Sequence, residues 1–219
     1  MKKISLIFFG VFYLIAFVYA QPNSDSAVQQ QSYLFENFIS GSVLLKSGEI
    51  NQAPLNYCSY DQTILFKKDG TTFTLTGLSS VDTIYIDQKK FVPVNNTIYE
   101  VVNTNGKIKL FVSYTSKMRP RVAATDYGGT SRQTSNAVNN TVSEVYLSRA
   151  YKGDFSIEIM KHYWLKDYRN LFKANNLKDF LKVFRESTHP AIYAYLKENK
   201  TDFKSETDLV KLVNFCNGQ

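Results

Sequence analysis

Histidine, cysteine and tryptophan are nearly missing from this chain of 219 residues, which holds two, two and one of them respectively. A small disulfide framework needs several closely spaced cysteines, so that class is excluded. Zinc and calcium motifs are absent too: there is no H-E-x-x-H, no C-x-x-C and no D-x-[DN]-x-[DN]-G loop, which leaves no metal site and no cofactor to expect. Nucleophilic catalysis through an imidazole base has only His162 and His189 to draw on. The first lies in an aromatic stretch with Tyr163 and Trp164, the second precedes Pro190 at a helix start, and no G-x-S-x-G accompanies either. Paired carboxylates remain open to a glycan hydrolase. Asp61, Asp69, Asp82 and Asp87, however, all fall at or near predicted turns, where Asp is favoured for backbone reasons.

Long apolar runs are missing everywhere except at the start. Lys2 and Lys3 precede an apolar stretch from Ile4 to Val18, and Val18-Tyr19-Ala20 suits cleavage before Gln21. The expectation is a signal peptide over 1–20, cleaved after Ala20, with the mature chain exported from the cytoplasm. No later stretch has spanning length, so no transmembrane span is expected after cleavage, although peripheral membrane contact stays open. Cleavage removes two lysines and lowers the formal net charge from +7 to +5. So mild a surplus reads as a solvated lysine surface, with no nucleic acid expected as partner.

What the chain has in quantity is Phe and Tyr, 16 and 15 of them, residues that suit a pleated β surface. Residues 21–36 are polar and read as a flexible leader. From 37 to 161 short runs of Val, Ile, Phe, Tyr and Thr recur between turn residues, the rhythm of an antiparallel β domain. Thr63 to Lys68 and Thr71 to Thr76 flank Asp69-Gly70, the strongest hairpin signal. Thr83 to Asp87 pairs with Lys90 to Val94, and Ile98 to Val102 with Lys107 to Tyr114. In the last of these, Lys107 and Lys109 alternate with Ile108 and Leu110, which gives a lysine-bearing outer face. Residues 116–141 form a long connection with Arg119, Arg121, Tyr127 and Arg132, a candidate loop for contacting an anion or a partner. A further hairpin is expected from Val142 to Arg149 and Phe155 to Lys161.

From 162 to 219 the apolar period shifts to three and four. Leu177, Phe180, Leu181 and Phe184 form one stripe; Leu209, Leu212, Val213 and Cys216 form another, behind a capping sequence at Ser205 to Asp208. Helices this short persist only when packed. The expected fold is therefore α+β: an antiparallel hairpin meander, sandwich or half-barrel, followed by short C-terminal helices docked on it. Cys58 and Cys216 could bridge in an oxidising compartment, but two separate buried thiols are the simpler reading.

Gly41-Ser42-Val43 with Gly48, Pro54 to Tyr57, Phe73-Thr74-Leu75, Val81 to Phe91, Tyr127-Gly128-Gly129 and the ending Tyr195 to Asn199, Phe203, Asp208-Leu209, Asn214 occur in an order that resembles a group of exported proteins of Bacteroidota. The resemblance implies a Gram-negative envelope, with the chain in the periplasm, associated with the outer membrane or secreted, and brings no reaction and no catalytic residues. Asp25-Ser26-Ala27 and Asp82-Thr83-Ile84 look like the acceptor that such bacteria O-glycosylate, which makes Ser26 and Thr83 candidates for modification. Position 58 departs from the group, where a polar residue is expected, so the disulfide gains nothing from it. The functional expectation is a non-catalytic binding or interaction protein of the cell envelope. The alternatives are a carrier of a small apolar ligand or lipid, and a carboxylate-dependent glycan hydrolase.

Overall fold

The computed structural model describes residues 21–22, 27–103, 105–120 and 155–218. Alternating side chains build one antiparallel sheet from β1 (Gln21–Pro22), β2 (Ile39–Leu45), β3 (Ile50–Cys58), β4 (Thr63–Lys68), β5 (Thr71–Thr74), β6 (Val81–Ile86), β7 (Lys89–Val94), β8 (Thr97–Asn103), β9 (Lys109–Pro120), β10 (Phe155–Lys166) and β11 (Leu171–Lys173). The strand order is β1-β5-β4-β3-β2-β6-β7-β8-β9-β10-β11. Apart from β1, which adds to the edge at β5, it is a run of hairpins with one return, where the chain leaves β5 and comes back to pair β6 with β2. The turns are chemically specified. Asp69 and Gly70 both hold positive φ (51° and 77°), as do Asn95 and Asn96 (49° and 63°), the signature of two-residue hairpin turns.

The sheet rolls up on itself. β3 and β9 are five strand steps apart in the order, roughly 24 Å across a flat sheet. Yet the rings of Tyr57 and Tyr114 lie 5.5 Å apart and those of Tyr57 and Phe91 stack at 5.6 Å. Ser59 and Ser116 hydroxyls close the same gap at 2.6 Å. Coiling brings β2 close under its neighbours at Gly41, where a Cβ would collide with the Tyr85 carbonyl oxygen and meet Leu55 at 2.8 Å. The inner surface is the core, with Tyr57, Ile64, Phe91, Ile98, Leu110, Tyr114 and Leu165 all buried.

Helices fill the rest of the concave side. α2 (Leu177–Leu181), α3 (His189–Asn199) and α4 (Glu206–Asn217) contribute the buried Phe180, Ile192, Leu209, Leu212 and Val213 to the same core. The Ser205 hydroxyl accepts from the Asp208 N–H at the start of α4, and Pro190 occupies the first turn of α3. Side-chain amides pin the end of α4 to the β8–β9 connection. Asn217 donates to the carbonyls of Asn105 and Ile108 and accepts from the Ile108 N–H (3.0, 2.8 and 2.9 Å), and Asn103 donates to Asn214 (2.8 Å).

The α+β class and the docking of the helices agree with the sequence reading; several boundaries do not. The stretch 21–36 contains β1 and a short helix, α1 (Ala27–Gln31), and Val28, Gln29 and Ser32 are buried. Its polar composition hid the reason: the Ser32 hydroxyl donates to the Val28 carbonyl, and the Ser32 carbonyl accepts from the N–H and hydroxyl of Ser59. β9 continues to Pro120, so residues 116–120 are strand and not connection. Likewise β10 runs past 161 to Lys166, because His162 and Trp164 keep alternating with Tyr163 and Leu165. The stripe ending at Phe184 yields a helix only to Leu181, after which the chain turns. The expected strand Val142 to Arg149 lies outside the described residues.

Candidate functional site

Chemistry would need a reactive group within a substrate's reach, and the titratable clusters do not offer one. Glu100 is 5% exposed on the inner face, where Lys89 approaches it at 2.6 Å and the Tyr114 hydroxyl donates to its other oxygen. Burial, then the Glu100 charge, pushes the Tyr114 phenol far up. Beside it Lys161 pairs with Glu206 at 2.6 Å. Burial opposes the Lys161 charge most strongly of any one cause, but the bond to Glu206 and the surrounding negative charge together outweigh it, and the ammonium is held above its ordinary value. Both carboxylates are thus engaged by cations around a phenol that is 1% exposed. No group of three or more potential metal ligands occurs among the described residues.

The cysteines do not meet. Cys58 ends β3 with its thiol 3.8 Å from Asp61 Oδ2, Cys216 sits in α4, and both are unbridged and buried, the separate thiols that the sequence reading preferred to a bridge. Burial pushes the Cys58 thiol up to about 11 and the Cys216 thiol up to about 12, so neither is a thiolate at neutral pH. Thr83 is likewise unsuited to its expected modification. It is 3% exposed in β6, donating to Asp82 Oδ2 at 2.8 Å. Of the candidate loop residues, Arg119 belongs to β9 and pairs with Glu158 across the hairpin, while Arg121, Tyr127 and Arg132, like Ser26, lie outside the described residues.

The outer face of the sheet is where the two halves diverge. Over β3 and β4 it is roofed by the segment 33–38. Asn56 donates to the carbonyls of Phe35 and Asn37 (2.8 and 3.2 Å), accepts from the Phe35 N–H, and Lys67 sits 4.6 Å from the Phe38 ring. Over β9, β10 and β11 no described segment plays that part. Register places Lys109 directly opposite Lys166, and Phe111 opposite Trp164, which in turn faces Lys173. All five side chains therefore share one face. Tyr99 joins them from β8, its ring 6.2 Å from Phe111 and 5.7 Å from Trp164. Tyr99 and Phe111 are buried in this layer, while Trp164 is half-buried and donates its indole N–H to Ser113 at 2.9 Å. Lys173 lies 5.7 Å over the Trp164 ring.

Three lysines thus share the face that carries Trp164, with Lys173 over the ring and the Lys166 ammonium donating to the Asp167 carbonyl at 3.1 Å. Lys109 and Lys173 are exposed, and none of the three forms an ion pair with a described residue. The nearest acid along the chain, Asp167, turns inward to its own loop and accepts from the N–H groups of Arg169 and Asn170. Next to this patch, burial and the Lys173 charge hold the His162 imidazole below its ordinary value, and it bonds the Thr115 hydroxyl at 2.8 Å. The sequence showed the lysine-bearing face through Lys109. It did not show Lys166 and Lys173, because residues 162–173 carried a helical expectation and cross-strand register was out of view.

No described helix is long and apolar enough to cross a membrane. Comparison with protein-family models, with curated proteins and with solved structures finds no match.

Proposed function

We propose that this chain is an exported, non-catalytic binding protein of a cell envelope that holds an anionic macromolecule against the outer face of β9, β10 and β11. The observation that carries the reading is the direct cross-strand pairing of Lys109 with Lys166, with Lys173 on the neighbouring strand and no ion pair from any of the three to a described residue. Like charges placed opposite each other disfavour the sheet by a fraction of a kcal/mol to about 1 kcal/mol. A polyanion laid across β9 to β11 removes that repulsion.

An acidic polysaccharide fits better than a nucleic acid. Base stacking needs open ring faces, whereas Tyr99 and Phe111 are buried and Lys173 already covers one face of Trp164. The apolar-carrier alternative has less support, because Tyr57, Phe91, Tyr114 and the helices occupy the concave side where such a ligand would lie. The hydrolase alternative would need Glu100 and Glu206 to reach substrate from beside a buried Tyr114.

Retention of the purified protein on immobilised polygalacturonate tests the proposal, with neutral dextran as the control. Binding that weakens with salt and disappears in the triple variant Lys109→Glu, Lys166→Glu, Lys173→Glu is expected. Equal retention of the parent and the variant would sink it.

A further inference from the structure

Asparagine followed by glycine is chemically labile, because the backbone nitrogen of the next residue can attack the side-chain amide carbon and glycine shields that nitrogen least. The chain has two such pairs, Asn105-Gly106 and Asn217-Gly218. The fold brings them into contact and gives them opposite surroundings.

Asn217 is clasped. Its Nδ2 donates to the carbonyls of Asn105 and Ile108 (3.0 and 2.8 Å), and its Oδ1 accepts from the Ile108 N–H (2.9 Å). The Gly218 N–H that would attack it donates instead to the Phe215 carbonyl at 3.1 Å. Asn105 is the reverse case. Residues 105 and 106 are exposed in the β8–β9 connection, and neither the Asn105 side-chain amide nor the Gly106 N–H bonds to a described residue.

We propose that Asn105 is a site of spontaneous deamidation and that the change releases the end of α4. The Gly106 nitrogen attacks the Asn105 Cγ, a new C–N bond closes a succinimide ring, the Cγ–Nδ2 bond breaks, and ammonia leaves with the proton from Gly106. Water then opens the ring. Opening at the side-chain carbonyl leaves aspartate; opening at the main-chain carbonyl leaves isoaspartate, in which the chain runs through the side chain and is one methylene longer. That main-chain carbonyl is the one to which Asn217 donates. At the next residue the backbone approaches α4 so closely that a Cβ on Gly106 would stand 2.3 Å from the Asn217 Cγ. A contact this tight has no room for a longer chain, so the isoaspartyl form loses the clasp. The site is independent of the lysine face, and either can fail alone.

The test is to age the purified protein for weeks in mildly alkaline buffer at body temperature and map its peptides by mass spectrometry. The peptide carrying Asn105 should gain the mass of an amide turned to an acid and accept label from an isoaspartyl methyltransferase. The side-chain hydrogen bonds of Asn217 must break before it can react, so its conversion should be at least about tenfold slower. In urea, where the clasp is gone, the two rates should converge. Hydrogen exchange at residues 214–218 should accelerate in the aged protein and not in an equally aged Asn105→Gln variant, whose longer side chain closes a ring far more slowly. Asn105 intact after ageing, Asn217 converting as fast as Asn105 in the folded protein, a rate difference that survives in urea, or unaltered exchange at 214–218 once isoaspartate has formed at 105 would overturn the inference.

Discussion

The two halves of the rolled sheet carry the same inner chemistry and opposite outer chemistry. Inside, β3, β4, β9 and β10 all contribute fully buried residues to one core. Outside, β3 and β4 lie under the segment 33–38, with Asn56 as the rivet, whereas β9 to β11 present three lysines around Trp164 with no described cover. A buried amide that satisfies four backbone groups makes an outer face part of the fold. An aromatic layer fringed by unpaired cations makes one into a surface for something else. The same pleated architecture supplies scaffold on one side and display on the other.

The comparison breaks most heavily when the shared interior is opened. Phe180 is fully buried and its ring contacts Phe184 and Phe203 at 5.1 and 5.7 Å. Phe180→Ala should cost about 3–5 kcal/mol, read as a fall in the urea midpoint that lowers both halves together. If only the helical signals lost protection in hydrogen exchange, the core would be two cores. Asn56→Ala tests the covered face alone. Removal of its amide strands the Phe35 and Asn37 carbonyls and the Phe35 and Tyr57 N–H groups, at a cost of about 2–3 kcal/mol. Hydrogen exchange should accelerate at residues 33–38 first and leave β9 to β11 unchanged.

Much of this fold is written in the sequence at short range. Asp69-Gly70, the alternation of Ile108, Leu110, Val112 and Tyr114, and the Ser205 cap each depend on residues only a few positions apart, and each was legible. What escaped depends on distance along the chain. The roll of the sheet is set by contacts such as Tyr57 with Tyr114, and the order of α1 by Ser32 with Ser59. The candidate site shares that difficulty: Lys166 and Lys173 look unremarkable until register sets them beside Lys109.

A pH scan distinguishes the open face from the covered one. His162 is held below its ordinary value, so the unfolded chain, titrating near about 6.5, takes up the proton first as pH falls. Stability contributed by the neutral ring is complete above that pH and is lost progressively as pH drops toward the lower folded value. The melting temperature should therefore decline from pH 7 to pH 5, and His162→Gln should flatten the decline. An unchanged slope in that variant would assign the acid sensitivity to other groups.

The smallest change in stability is the sharpest, because its sign opposes its effect on binding. Lys109→Glu replaces a like-charged cross-strand pair with an attractive one opposite Lys166, which should stabilise the isolated protein by about 0.2–1 kcal/mol. The same substitution removes one of the three cations offered to a polyanion and places a negative charge among the other two, so retention on polygalacturonate should fall. A residue kept only for solubility would give no such opposition: its replacement by a charge of either sign would leave binding alone. A variant that melts higher and binds worse identifies Lys109 as a position where the sheet tolerates repulsion for the sake of contact. A variant that melts lower shows instead that Lys109 is already neutralised on the free protein, and the cation cluster then loses its claim to be waiting for a partner.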